Sequence, residues 1–170
     1  MSDEENKLDW CLKKAAKELQ EGKKHRGLVR LETDIVEIRK HIAKAEHNLK
    51  AISYFDEGGF SDWSMSAIFY CIYHCFLAIA LKFGYGSRNQ ECTIALMKVL
   101  KLENKISLDN RFIESLENYS ESERHESNVI ENRETYTYGT SVSVKDEEEI
   151  KRAITLCQEC LDETKSIVFK

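Results

Sequence analysis

The run Asn132-Arg133-Glu134-Thr135-Tyr136-Thr137-Tyr138-Gly139 sets one arginine beside two tyrosines and a glycine. A guanidinium can grip a phosphate through two parallel hydrogen bonds. An aromatic face can stack a base. These residue types would suit a nucleotide-binding cleft, with Arg133 on the phosphate and Tyr136 and Tyr138 on the base. The same run also reads as an ordinary polar loop. A second segment, Gly84-Tyr85-Gly86-Ser87-Arg88-Asn89-Gln90-Glu91, offers Arg88 and Asn89 as further ligand contacts, or else a loop with a helix cap.

Six cysteines are scattered at Cys11, Cys71, Cys75, Cys92, Cys157 and Cys160. Cys157 and Cys160 form a C-x-x-C pair, and Cys71, His74 and Cys75 share one helical face. Zinc accepts such sulfur and nitrogen ligands. Both sets lie on stripes expected to face a core, where free cysteine behaves as a small hydrophobe. They are read as core residues, with no metal and no cofactor expected. His74 is then a hydrogen-bonded core histidine or part of a subunit contact. The βαβ setting of a thioredoxin-like C-x-x-C is absent, as are the phosphate-cradling and hydrolase motifs.

Composition narrows the field. The chain has 170 residues, enough for one domain with a sizeable core. It contains no proline, which permits long uninterrupted helices. A net charge of -5 argues against sequence-blind nucleic-acid binding through a basic face, while leaving room for a local basic cleft. The acidic, polar start resembles neither a signal peptide nor a lipidation site. Reduced thiols and a cytoplasmic location, with no membrane span, are the expectation.

The elements that must position these residues are helical. Leu8, Cys11, Leu12, Ala15, Ala16 and Leu19 predict a helix over 4–21, followed by a basic loop, Lys23 to Gly27. Ile35, Ile38, Ile42, Ala45, Leu49 and Ile52 recur at steps of three and four and draw one apolar stripe. Turn residues 56–59 end that helix. From Trp63 to Phe83 apolar residues surround the axis, as in a helix buried among others; Ser61 is its expected cap and Gly84 its stop. Ser87 and Gln90 read as a capping box for a short helix through Leu100. Ser107 is taken to cap the next, along Phe112, Ile113, Leu116 and Tyr119. Residues 120–139 are polar, their first part able to continue that helix and their end a loop. A last helix starts at Val144 or Lys145, with acidic residues 146–149 favoured by the helix dipole. Its buried stripe includes Ile150, Ile154, Cys157, Leu161 and Val168. No strand pattern stands out. The fold class is all-α, with a lead-in over 1–31 and a helical domain over 32–170.

Three stretches resemble the HEPN-domain family, small prokaryotic helical proteins often encoded beside a minimal nucleotidyltransferase. His41 to Leu49 resembles the family's first core helix. Phe60 through Gly84, with its tyrosine-rich Ser66 to His74, resembles the second. Arg133 to Gly139, followed by an acidic-start helix, resembles the signature arginine segment. The resemblance implies an up-down helical bundle with a buried central helix, paired as a homodimer. Its ribonuclease members use an arginine followed after four to six residues by a histidine, with two copies of this motif meeting across a dimer interface. The arginine neutralises the scissile phosphate, and the histidine assists proton transfer near neutral pH.

Here Arg133 matches the arginine, and four intervening residues lead to Tyr138, six to Thr140. Tyr138 is therefore the stand-in catalytic candidate, although tyrosine ordinarily titrates near pH 10. His125 precedes Arg133, in the wrong order, and His74 would have to be brought close by folding. The departure favours a module that binds RNA or a nucleotide, in a toxin-antitoxin or defence setting. A metal-independent ribonuclease toxin and a purely structural dimer are the alternatives. The resemblance also implies a possible nucleotidyltransferase partner, with Tyr136 or Tyr138 as nucleotide acceptor.

Overall fold

Five of the described helices begin where a short polar side chain satisfies a free N–H group. In the computed structural model, which describes residues 1–117 and 129–170, Ser2 caps α1 (Asp3–Gln20) in a reciprocal capping box with Glu5. Asp34 caps α2 (Ile35–Glu57) and Asp146 caps α7 (Glu147–Val168), each accepting from a backbone N–H two residues on. Between them run α3 (Ser61–Lys82), α4 (Gln90–Leu102), α5 (Asn110–Ser115) and α6 (Val129–Tyr138). Tyr119 and His125 lie outside the described residues.

Three expected caps are corrected. Phe60, with no side-chain cap bond, precedes α3, and the Ser61 hydroxyl accepts instead from the Val144 N–H at 2.8 Å. Asn89 rather than Ser87 caps α4, because Ser87 is drawn into a strand and its hydroxyl meets Thr93 at 2.7 Å. Asp109 replaces Ser107 at α5.

The central helix is α3. It packs against α2, α4, α6 and α7, which explains why its apolar residues ring the axis. Phe76, Ile72 and Ile79 are fully buried along it, facing Ile38 and Ile52 of α2 and Leu96 and Met97 of α4 within one core. Burying each such side chain contributes about 1.5–3 kcal/mol. Among the described residues α3 is also the one helix long and apolar enough to cross a membrane, and most of it is covered by its neighbours. The fold is an all-α bundle of the expected kind.

The expectation of no strands is also corrected. Leu28–Arg30 (β1) pairs antiparallel with Tyr85–Ser87 (β2), Leu28 opposite Ser87. Three-residue strands are too short for a period-two pattern to register. Gly84, at φ 78°, makes the turn from α3 into β2. Gly27 lets β1 approach α1 so closely that a Cβ would stand 2.3 Å from the Cys11 carbonyl oxygen.

Not all thiols are free. Cys11 and Cys92 form a disulfide between α1 and α4, whose buried faces pack together. Lys7–Glu91 at 2.9 Å and Lys98–Glu4 at 3.1 Å join the same two helices. Cys71 and Cys75 of α3 meet Cys157 and Cys160 of α7, all four buried and free. Hydrogen bonds to Cys157 and Cys75 push the Cys71 thiol up, and burial pushes Cys160 up. Among the described residues no three histidine, cysteine or acidic side chains are grouped to hold a metal ion.

Candidate functional site

The arginine segment is a helix, where a loop was expected. α6 lacks an apolar stripe of helical period and is rich in threonine and tyrosine, so sequence alone gave no reason to coil it. It is held from outside. Val129 and Ile130 are buried, Tyr136 packs on the core, and the helix lies along α3. Asn132 donates to Glu149 of α7 at 2.7 Å, and Thr137 and Ser66 share a hydrogen bond at 3.3 Å.

Coiling sorts the predicted residues. Arg133 turns inward, its side chain 19% exposed, and its guanidinium lies 4.4 Å from the centre of the Phe69 ring. Phe69 in turn stacks on Tyr73 and meets the edge of Tyr70. The ring quadrupole attracts a cation placed over its face. Among the described residues Nε of Arg133 is buried without a hydrogen-bond partner, and Glu134 approaches only to 3.9 Å. Among the described residues, then, the Phe69 ring approaches this charge face-on and no carboxylate approaches it more closely than Glu134.

Tyr136 and Thr137, one turn further on, reach a recess of about 140 Å³ between the end of α6 and the start of α3. Asp62, Trp63 and residues 139–142 complete it. The Ser61–Val144 hydrogen bond fixes the loop that closes it. Burial and the nearby Glu149 carboxylate raise the Tyr136 hydroxyl above its ordinary value. Tyr138 is 81% exposed and outside the recess, so Arg133 and Tyr138 project differently. Asn89 uses its side-chain oxygen on the α4 cap, accepting from Cys92 N–H. Arg88, exposed beside it, donates its N–H to the Gly27 carbonyl. Neither Arg88 nor Asn89 lines the recess.

Sequence reasoning missed Asp62 and Trp63. The apolar ring of the third helix points to a core position for Trp63, yet it is 55% exposed. An aromatic residue at the start of an otherwise buried helix was the available signal.

His74 is not on the arginine's side of α3. It meets His41 of α2, Nδ1 to Nδ1 at 2.9 Å. Burial first, then His41 and Lys44, push His74 down to about 4, and burial lowers His41 as well. A second recess of about 230 Å³ lies among α1, the ribbon and α4. Its carboxylates are already engaged: Glu5 in the capping box, Asp9 with Lys13, and Glu103 with Lys105.

No curated protein matches the chain. The model of the HEPN domain matches residues 38–167, about three quarters of the sequence, and spans α3, α6 and both walls of the recess. The chain belongs to the HEPN domain family.

Proposed function

We propose that this HEPN protein binds a nucleotide unit, of single-stranded RNA or free, through Arg133 and the aromatic recess beside it, without cleaving it. The observation that carries the reading is the state of Arg133. Its guanidinium rests on Phe69, unmatched by a close carboxylate among the described residues, and it stands one helical turn along α6 from Tyr136, which lines the recess with Trp63. Phosphate would supply the missing hydrogen-bond acceptors, and Trp63 and Tyr136 the stacking surface. Binding rather than cleavage is favoured because no histidine follows Arg133 at the ribonuclease spacing. His74, a weak base in its half-buried pair with His41, faces α2 instead.

Homodimerisation belongs to the same reading. Tyr70 of α3 is exposed and His74 and Leu77 half-buried, a stripe of the central helix that the monomer leaves uncovered. A nucleotidyltransferase partner is a second reading. The exposure of Tyr138 at the end of α6 favours it over Tyr136 as nucleotide acceptor. A cytoplasmic location remains part of the proposal, and the Cys11–Cys92 disulfide is the observation that weighs against it.

The test is single-stranded RNA offered to wild type and Arg133→Ala, scored for retention and for cleavage. Retention without cleavage, weakened roughly ten- to a hundredfold in the variant and by added salt, is expected. Cleavage lost in the variant would establish the ribonuclease alternative. Identical behaviour of the two proteins would remove the site and leave a structural dimer.

A further inference from the structure

Asp62 stands out in the recess. Asp62 lines a small cavity together with Trp63 and Tyr136, and among the described residues it has no hydrogen-bond or ion-pair partner. Of the neighbouring polar groups, Thr137 is engaged with Ser66 and Ser61 with Val144, while Thr140 and Ser141 also line the recess. Its place in the first turn of α3 explains an acidic residue there through the helix dipole. It does not explain why that residue borders an aromatic recess.

The size limits the occupant. Pockets for drug-sized ligands run to roughly 300–1,000 Å³, so about 140 Å³ suits one planar base rather than a whole nucleotide. The chemistry limits it further. An ionised carboxylate only accepts hydrogen bonds. It therefore prefers a base edge that presents two adjacent donors. Guanine does so with N1–H and the N2 amino group. Adenine and cytosine each set an acceptor nitrogen beside their single amino donor, and uracil flanks its one N–H with two carbonyls. Against a carboxylate each of those arrangements places lone pair against lone pair.

We propose that the recess between α3 and α6 takes a single unpaired guanine, stacked against Trp63 and Tyr136, with the Asp62 carboxylate accepting from its N1–H and N2 amino group. This rests on the nucleotide-binding reading and adds base selectivity to it. Arg133, one turn back along α6, then serves the phosphate of the same or the adjoining nucleotide and offsets the charge of Asp62. A base accessible to such a recess must be unstacked, as in single-stranded or loop RNA.

The experiment uses the full chain and a short oligouridine carrying one central guanine, adenine, cytosine, uracil or inosine. Inosine keeps N1–H and lacks the N2 amino group. Wild type is expected to prefer guanine over the other standard bases by roughly tenfold or more, the scale of one good bidentate pair, with inosine between. GMP should compete for the site and AMP, CMP and UMP should not, which separates base recognition from length of chain. Asp62→Asn, which keeps the size of the side chain and removes its charge, should abolish the guanine preference while retaining binding. Trp63→Ala should weaken guanine binding roughly ten- to a hundredfold through lost stacking. Equal binding of every base would overturn guanine selectivity and leave the nucleotide reading standing. A guanine preference that survives in Asp62→Asn would overturn the assignment to this recess. Absence of binding to any oligomer or mononucleotide would overturn both readings together.

Discussion

Reducing the Cys11–Cys92 disulfide should lower stability substantially, and the amount follows from its place in the chain. The bond joins residues 81 apart in sequence. In the chain-entropy description, a closed loop of that length removes about 15 cal/mol/K from the unfolded ensemble, or about 4.5 kcal/mol at 25 °C. Both sulfurs are fully buried where α1 packs on α4, so reduction does not gain compensating solvation in the folded state. For a chain of this size a loss of 1 kcal/mol lowers the melting temperature by about 2–4 °C. The reduced protein should therefore melt roughly 9–18 °C below the oxidised one. Thermal unfolding followed by circular dichroism, with and without reductant, measures this. Alkylation under denaturing conditions counts the thiols, with four expected to react before reduction and six after. The variant carrying Cys11→Ala and Cys92→Ala should melt near the reduced wild type and be indifferent to reductant. Six reactive thiols in the protein as purified without reductant would refute the pairing. Unchanged melting after complete reduction of that one bond would refute the loop-entropy reasoning.

Other consequences follow from the packing. Arg133→Ala should cost about 1–2 kcal/mol of stability in urea unfolding, because it strips a largely desolvated cation from the Phe69 ring; a cost near zero would contradict that stack. Gly27→Ala should destabilise by about 1–3 kcal/mol, since its Cβ would collide with the Cys11 carbonyl of α1, and melting temperature reports it. His41 and His74 both titrate below the ordinary histidine value in the folded state, so the unfolded chain binds their protons first. Their contribution is complete above about pH 6.5 and is lost as pH falls toward about 4; replacing both with glutamine should flatten the melting profile over that window relative to wild type. Light scattering at micromolar concentration should return about twice the chain mass, and a clean monomer would remove the dimer from the functional reading.

The sequence by itself determined most of the helical frame, because helix signals are local. The Ile38, Ile42, Ala45 and Ile52 stripe, the turn at 56–59, the stop at Gly84 and the acidic start of α7 each act within a turn or two of backbone. The all-apolar circumference of the third helix already marked it as central. The resemblance carried by Arg133 to Gly139 pointed to the family that the domain match then established. The remaining features depend on partners distant along the chain. α6 is helical because α3 and α7 hold it, against weak local preference. Ser61 caps nothing because Val144, more than eighty residues away, supplies its donor. Cys11 found Cys92 among the other cysteines because α1 and α4 meet face to face, a juxtaposition to which spacing is blind. Asp62 and Trp63 joined Tyr136 for the same reason: a recess between two helices is made by their packing, and neither helix carries it alone.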